Sequence, residues 1–253
     1  MTGCIDLNAD LGESSDANAI TRDIAIMEVV TSANIACGGH AGSEKLMIAM
    51  LEAAKKNGVS AGAHPAYPDR ENFGRVSMHI GHDRLFASLC AQMDTLKKLA
   101  DERSISINQV KPHGALYNNA ADNPALAKLV TAAAHRVFPD ARLYGLAGSA
   151  MADAAREALA DFVAEAFIDR QYTPAARLAS RSLPGAVLEQ EADRIAQALS
   201  LTINGKITLP GGGEIAIDAQ TLCLHSDSEG ALATARAVRG ALQSADIEIA
   251  APK

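Results

Sequence analysis

Residues 110–118, VKPHGALYN, are the stretch on which the fold of this chain turns. Ile105, Ile107 and Val110 read as a buried strand, and Lys111, His113, Tyr117 and Asn118 then follow within eight residues. Pro112 removes a backbone donor and Gly114 permits conformations that a β-carbon forbids, so the strand is expected to give way to a loop here. Two readings stand side by side. One is a site built from a cation, an imidazole and a phenol; the other is a core strand whose polar residues lie at its solvated end.

Working outwards, the same pattern recurs. Residues 4–11, CIDLNADL, alternate Ile5, Leu7, Ala9 and Leu11 with Asp6, Asn8 and Asp10, a period-two strand with its polar residues on one side. A small-sided segment, residues 32–37, runs into His40, and residues 59–63 run into His64. Residues 142–146 form a fifth strand, residues 162–168 a sixth ending in Asp169 and Arg170, and residues 221–224 a seventh ending in His225 and Asp227. Between them lie helices. Ile20, Ile24 and Met27 mark one over 19–29; Ser43 caps one that Gly58 ends. Leu85, Leu89, Met93 and Leu96 stripe another over 83–103, and Asn123-Pro124 opens one through Arg136. Ser149 is expected to cap the next, and residues 230–242 form the last.

The alternation breaks between Tyr172 and Ala219, where a helix (189–201) and a hairpin (206–218) turning at Gly211–Gly213 are expected. Seven strands alternating with helices imply a parallel sheet. Polar residues gather at the ends of six of them, which favours a closed barrel whose strand ends share one face over an open sheet with a single switch point. The expected class is therefore α/β, a TIM-like (β/α)7 barrel with a helix-plus-hairpin insertion before the last strand, spanning residues 1–253 as one domain.

Composition narrows the function classes. Nearly half of the 253 residues are apolar (48%), enough for a substantial core. With 23 basic against 30 acidic residues the net charge is −7, which speaks against broad nucleic-acid or anionic-membrane binding. Asp6, Asp10 and Glu13 stand where a secretory signal would need a positive end and an apolar run. No apolar run approaches membrane-spanning length. The four cysteines, Cys4, Cys37, Cys90 and Cys223, are far apart and form no Cys-x-x-Cys pair. A cytoplasmic protein is expected.

No Gly-x-Ser-x-Gly elbow is present, and no cysteine stands directly next to a histidine, so the chemistry is expected to be water-based with a carboxylate or imidazole as base. A Walker A loop is also missing, since Gly205-Lys206 lacks the glycine five positions earlier. Asp10, His40, His64, His113 and His225 could ligate zinc or manganese, but no spacing brings two of them onto one helix. Proton-transfer or hydrogen-bonding histidines are favoured and no metal is assigned. Asp6 reads as a structural pairing carboxylate, His79, His82 and His135 as surface or helix-end residues, and Arg70 and Arg75 as possible loop anchors through carboxylates. Asp227 reads as a helix cap, and Glu165, an acid within a strand, is left without a role.

Seven pieces, in order, resemble the LamB/YcsF family: DLNADLGE (6–13), TSANIACGGHAG (31–42), GAHPAYPD with FGR (62–75), VKPHGALYN, GLAGS (145–149), DR-Q-Y (169–172) and LHSD (224–227). The resemblance covers essentially the whole chain. It implies a barrel related to the glycoside hydrolase/deacetylase superfamily. It also implies the role of the A component of an ATP-dependent 5-oxoprolinase, which hydrolyses the lactam of 5-oxo-L-proline (pyroglutamate) to L-glutamate with two partner subunits. By match of motif, Asn8, Asp10, His40, His64, Lys111, His113, Asp169, Arg170 and His225 would line the pocket. Lys111 and Arg170 would hold a phosphate or carboxylate, and Asp10 or His113 would act as base. ATP would be a co-substrate bound largely by the partners. The chain departs from the family at Ser14–Ala17, where an aromatic-glycine pair is usual, and in 173–180, which lacks an Asp-Gly. Two rival readings are a metal-dependent deacetylase-like hydrolase acting alone and a non-catalytic carboxylate-binding regulatory protein.

Overall fold

Alternation on the first strand sets the architecture. β1 (Cys4–Leu11) is buried on both faces from Ile5 onwards, so Ile5, Leu7, Ala9 and Leu11 pack outwards under helices while Asp6, Asn8 and Asp10 face into a closed sheet. The computed structural model describes residues 3–225 and 230–252, with the His225 side chain excepted. After β1 come α1 (Ala17–Ile26), β2 (Ser32–Ala36), α2 (Glu44–Asn57), β3 (Ser60–His64), α3 (His82–Asp101), β4 (Ile107–Val110), α4 (Gly114–Asp122) and α5 (Pro124–Val137). The chain continues through β5 (Arg142–Leu146), α6 (Ala150–Glu157), β6 (Phe162–Phe167), α7 (Glu191–Leu199), β7 (Lys206–Thr208), β8 (Glu214–Ala216), β9 (Thr221–His225), α8 (Ala231–Ser244) and β10 (Glu248–Ile249).

Strands β1, β2, β3, β4, β5, β6 and β9 pair in that order, all parallel, and β9 returns to β1, with Asp6 opposite Thr221 and Asp10 opposite His225. The sheet is thus the expected seven-stranded barrel. Hydrogen bonding across it replaces the branched apolar layers usual in such barrels. Asp6 accepts from Thr31 Oγ1 (2.6 Å), Ser32 Oγ (2.8 Å), Thr221 Oγ1 (2.6 Å) and the Tyr144 hydroxyl (3.1 Å). Burial raises its pKa above the usual carboxylate value even so. Its expected structural pairing role is what the geometry shows. Above it, Asn8 donates to Glu165 Oε1 (2.9 Å) and Thr221 Oγ1 (2.7 Å) and accepts from Asn34 (2.8 Å).

Helix boundaries follow local chemistry. Ser43 accepts from Leu46 N, Gly58 ends α2 in the left-handed region (φ 67°), and Asn123 accepts from Ala125 N and Leu126 N. Ser149 occupies the cap position of α6 without making a side-chain cap bond. The antiparallel β7–β8 hairpin and α7 form the expected insertion, although α7 runs into a short π-helical turn, Ser200–Asn204. Two elements depart from expectation. Residues 114–122 are helical rather than a loop, because Ala115, Leu116, Ala120 and Ala121 bury one face of α4. β10 adds a short parallel pairing beneath β1, Cys4 to Glu248 and Ile5 to Ile249. Among the described residues no helix is long and apolar enough to cross a membrane, and all four cysteines are free thiols. Asp227, expected as a cap, lies outside the described residues.

Candidate active site

A pocket of ≈ 520 Å³ opens at the C-terminal ends of the strands, lined by Asp10, Glu13, Lys111, His113, Tyr117, Phe167 and Arg170, with Arg75, Arg181 and Ser182 among its outer residues. Its inner wall is ionic. Lys111 Nζ, 1% exposed, lies 2.7 Å from Glu165 Oε1, 3.0 Å from Asp10 Oδ1, 3.1 Å from Asn8 Oδ1 and 3.1 Å from Cys223 Sγ. Burial alone would drive the lysine pKa down, but the Asp10 and Glu165 carboxylates outweigh it and hold it well above the ordinary value. Burial likewise keeps the Cys223 thiol protonated, which removes it as a nucleophile. Asn34 also donates to Asp10 Oδ1 (2.9 Å), so that carboxylate is oriented from two sides.

Beside this wall three imidazoles surround one carboxylate. Glu13 Oε1 is 2.9 Å from His40 Nε2, 3.1 Å from His113 Nδ1 and 3.9 Å from His64 Nε2. His40 and His113 stack in parallel, with centroids 3.6 Å apart and planes at 1°. Burial would raise the Glu13 pKa, but the facing His113 and His40 rings hold it well below the carboxylate range. Burial pushes His40 down to about 4 and lowers His113, while Asp10 overcomes burial to raise His64.

Backbone design places these rings. After β4 the chain stays extended: Lys111 N donates to Ala63 O (3.0 Å) and His113 N to Pro65 O (2.9 Å), which sets His113 against His64. Gln92 on α3 clamps Ala66 through both its backbone groups (2.9 and 3.0 Å). Arg70 ties the loop to Gly38 O and Gly42 O (2.9 and 3.1 Å), carbonyls rather than the carboxylates expected of it. Gly12 N donates to Asp23 Oδ2 (2.9 Å), holding the turn that presents Glu13. Gly114 has φ 56°, and a β-carbon there would come 2.6 Å from Gly74 O. Gly114→Ala is therefore expected to destabilise the fold by about 1–3 kcal/mol through backbone strain. Thermal denaturation checks it, and an unchanged melting temperature would count against this packing.

At the mouth, Arg170 is 5% exposed and donates to Ala179 O (2.6 Å). Burial and the neighbouring Arg181 push its pKa down to about 10. Arg75 lies over the Phe73 ring, 4.8 Å from its centroid. Of the residues expected to line the pocket, Asp10, Lys111, His113 and Arg170 do so. Asn8, His40 and His64 are buried behind them: Asn8 accepts from Lys111, His40 Nε2 lies against Glu13, and His64 Nε2 lies 3.0 Å from His113 Nδ1. Asp169 instead lines a small adjacent cavity with Arg194 and Thr234. The side chain of His225 lies outside the described residues.

Glu13 and Glu165 are site carboxylates to which sequence reasoning gave no role. Glu165 carried a signal, since an acid inside an apolar strand needs a buried partner; Glu13 sits two residues beyond the end of β1 with no periodic cue. Spacing along the chain also gave no sign of one further grouping. The ligand atoms of Glu13, His40, His64 and His113 all lie within 4.8 Å of one another and could hold an ion. They come from four separate strand ends, so no two of them had to share a helix.

The sequence pattern of the LamB/YcsF family matches residues 5–253. A protein of Haemophilus influenzae (strain PittEE), named as the A component of 5-oxoprolinase, is 38% identical over 247 residues, 98% of this chain and 99% of that one. The crystal structure of the lactam utilization protein from Thermus thermophilus superposes with a TM-score of 0.91 at 37% identity, covering 98% of this chain and 100% of that one. The catalytic domain of a peptidoglycan N-acetylglucosamine deacetylase from Eubacterium rectale ATCC 33656 shares the fold alone, with a TM-score of 0.55 at 8% identity over 100% of this chain and 90% of that one.

Proposed function

This chain belongs to the LamB/YcsF family, and from that membership we propose that it serves as the A component of an ATP-dependent 5-oxoprolinase, opening the lactam of 5-oxo-L-proline to L-glutamate. The observation that carries the reading is the pocket's polarity. A buried carboxylate wall held by Lys111 faces Arg75, Arg170 and Arg181 at the mouth, in a chain that matches a named 5-oxoprolinase component over nearly all of both lengths.

A five-membered lactam is a stable amide, and its hydrolysis near neutral pH needs activation. Two partner subunits, using ATP, phosphorylate the carbonyl oxygen and make C5 electrophilic; the present chain binds the resulting anion and delivers water. Lys111 is already engaged by Asp10 and Glu165, so the anion falls to Arg170 and Arg181, whose mutual repulsion a phosphate or carboxylate relieves. Asp10, paired with Lys111 and oriented by Asn34, is the base. It takes a proton from water as oxygen bonds to C5. That proton passes to the ring nitrogen as the C5–N bond breaks, leaving γ-glutamyl phosphate, which a second water converts to glutamate and phosphate. Four free thiols accord with a reducing, cytoplasmic setting.

The test is glutamate formation and oxoproline-dependent ATP hydrolysis by the partner subunits with and without this chain. Glutamate is expected only from the complete mixture. Glutamate at the same rate without the chain would overturn the reading, and hydrolysis by the chain alone, lost with chelator, would instead support a stand-alone metallohydrolase built on the Glu13–histidine cluster.

A further inference from the structure

The hydrogen bonds around Glu13 cannot all be satisfied by neutral histidines. His64 Nδ1 lies 2.7 Å from the Lys111 carbonyl oxygen, and His113 Nε2 lies 3.0 Å from that of Phe73. A carbonyl oxygen only accepts, so each of these nitrogens carries its ring's proton. The other nitrogen of each neutral ring is then a bare lone pair. Those two nitrogens, His64 Nε2 and His113 Nδ1, face each other at 3.0 Å. Their further neighbours among the described residues are acceptors: Glu13 Oε1 is 3.1 Å from His113 Nδ1, and Asp10 Oδ2 is 3.3 Å from His64 Nε2. The His40 ring, stacked on that of His113, brings its Nε2 to the same Glu13 oxygen at 2.9 Å; its Nδ1 is buried without a hydrogen-bond partner among the described residues, so this ring is the one that a proton on Nε2 would satisfy.

Lone pairs converge in this way on a cation. A backbone carbonyl that takes one ring N–H and aims the other nitrogen inwards is the usual support of a metal-ligating histidine. The spacing also suits an ion. Ligand atoms about 2.0–2.2 Å from a tetrahedral metal stand roughly 3.3–3.6 Å from each other; here Glu13 lies 2.9, 3.1 and 3.9 Å from the three imidazole nitrogens and the whole group within 4.8 Å, so small side-chain shifts would complete the shell. A single extra proton on one ring would satisfy one of these contacts and leave the others as acceptor against acceptor.

We propose that Glu13, His40, His64 and His113 hold a divalent transition-metal ion of the zinc class at the floor of the pocket. Three imidazoles and one carboxylate are the donor set of zinc and its borderline neighbours rather than of magnesium or calcium. Glu13 and His113 line the pocket, so the site is open to it on one side, while His40 and His64 close it from behind. Bound there, such an ion would supply Lewis-acid polarisation of a substrate oxygen beside Asp10.

The full chain, stripped with chelator, reloaded with Zn²⁺ and freed of excess metal, is expected to retain about one ion per chain, with X-ray absorption showing nitrogen and oxygen ligands at about 2.0–2.1 Å. Glu13→Gln and His113→Ala are each expected to weaken Zn²⁺ binding by at least about 10–100-fold, whereas His135→Ala, on an exposed helix end, leaves it unchanged. If a variant loses its far-UV circular dichroism, Co²⁺ titration of the wild type replaces it, with the visible absorption of a low-symmetry imidazole site as the signature. Zn²⁺ at background level in the reloaded wild type would overturn the proposal, as would undiminished binding in folded Glu13→Gln and His113→Ala, or a Co²⁺ spectrum of the hydrated ion. All of this is read on the chain alone without substrate, so its failure would leave the lactam reading standing.

Discussion

Asp10→Asn is expected to slow glutamate formation by the complete enzyme by about 10²–10⁴-fold, the range that a positioned general base contributes. The change is nearly isosteric, and the amide oxygen can still accept from Asn34, which now donates to Asp10 Oδ1. Lys111 keeps Glu165 at 2.7 Å, so the ionic wall loses one of two carboxylates and stays paired. What disappears is the capacity to take a proton from water. The effect should therefore fall on the chemical step, lowering kcat with little change in KM for 5-oxoproline, and the folded chain should keep its melting temperature to within a few degrees. Single-turnover glutamate release from reconstituted wild type and variant separates the step from product release. A variant rate within about threefold of wild type would remove Asp10 as the base.

Lys111→Met should act on the fold first. It leaves Asp10 and Glu165 as buried carboxylates without their shared cation, a loss expected to destabilise the protein by about 3–5 kcal/mol. For a chain of this size that corresponds to a melting temperature lower by roughly 6–20 °C. Thermal denaturation at neutral pH measures it, and adding Glu165→Gln to Lys111→Met should recover part of the loss by removing one stranded charge. A single variant as stable as wild type would show that the wall does not depend on its lysine. The sign of the pH dependence follows from the same geometry. The folded lysine pKa is raised above its unfolded value, so the stabilisation is complete below the ordinary lysine pKa and fades as pH rises through the folded value.

Asp10 and Lys111 were both legible as polar residues at strand ends, because strand periodicity is local and each stands at a break in an apolar run. Their mutual contact was not. It spans about a hundred residues of chain, and only closure of the sheet brings Ala63, Lys111 and Asp10 to one end of the barrel. Glu165 shows the limit most clearly: the sequence marked it as an acid in need of a partner, and the partner, Lys111, lies just past the end of another strand.

Local pattern was enough to set the order and type of nearly every element, the insertion before the last strand, and the face of the barrel on which the chemistry collects. Those depend on alternation, helical spacing and capping residues, all read within a few positions of each other. Packing in three dimensions made residues 114–122 a helix, locked Lys111 between Asp10 and Glu165 rather than leaving it free for substrate, and put Asp169 off the main pocket. It also brought Glu13 and three histidines from separate strand ends within 4.8 Å of one another. Each of these is a through-space relation among groups far apart along the chain. Closing seven parallel strands into a ring creates such neighbours, and no spacing in the sequence records them.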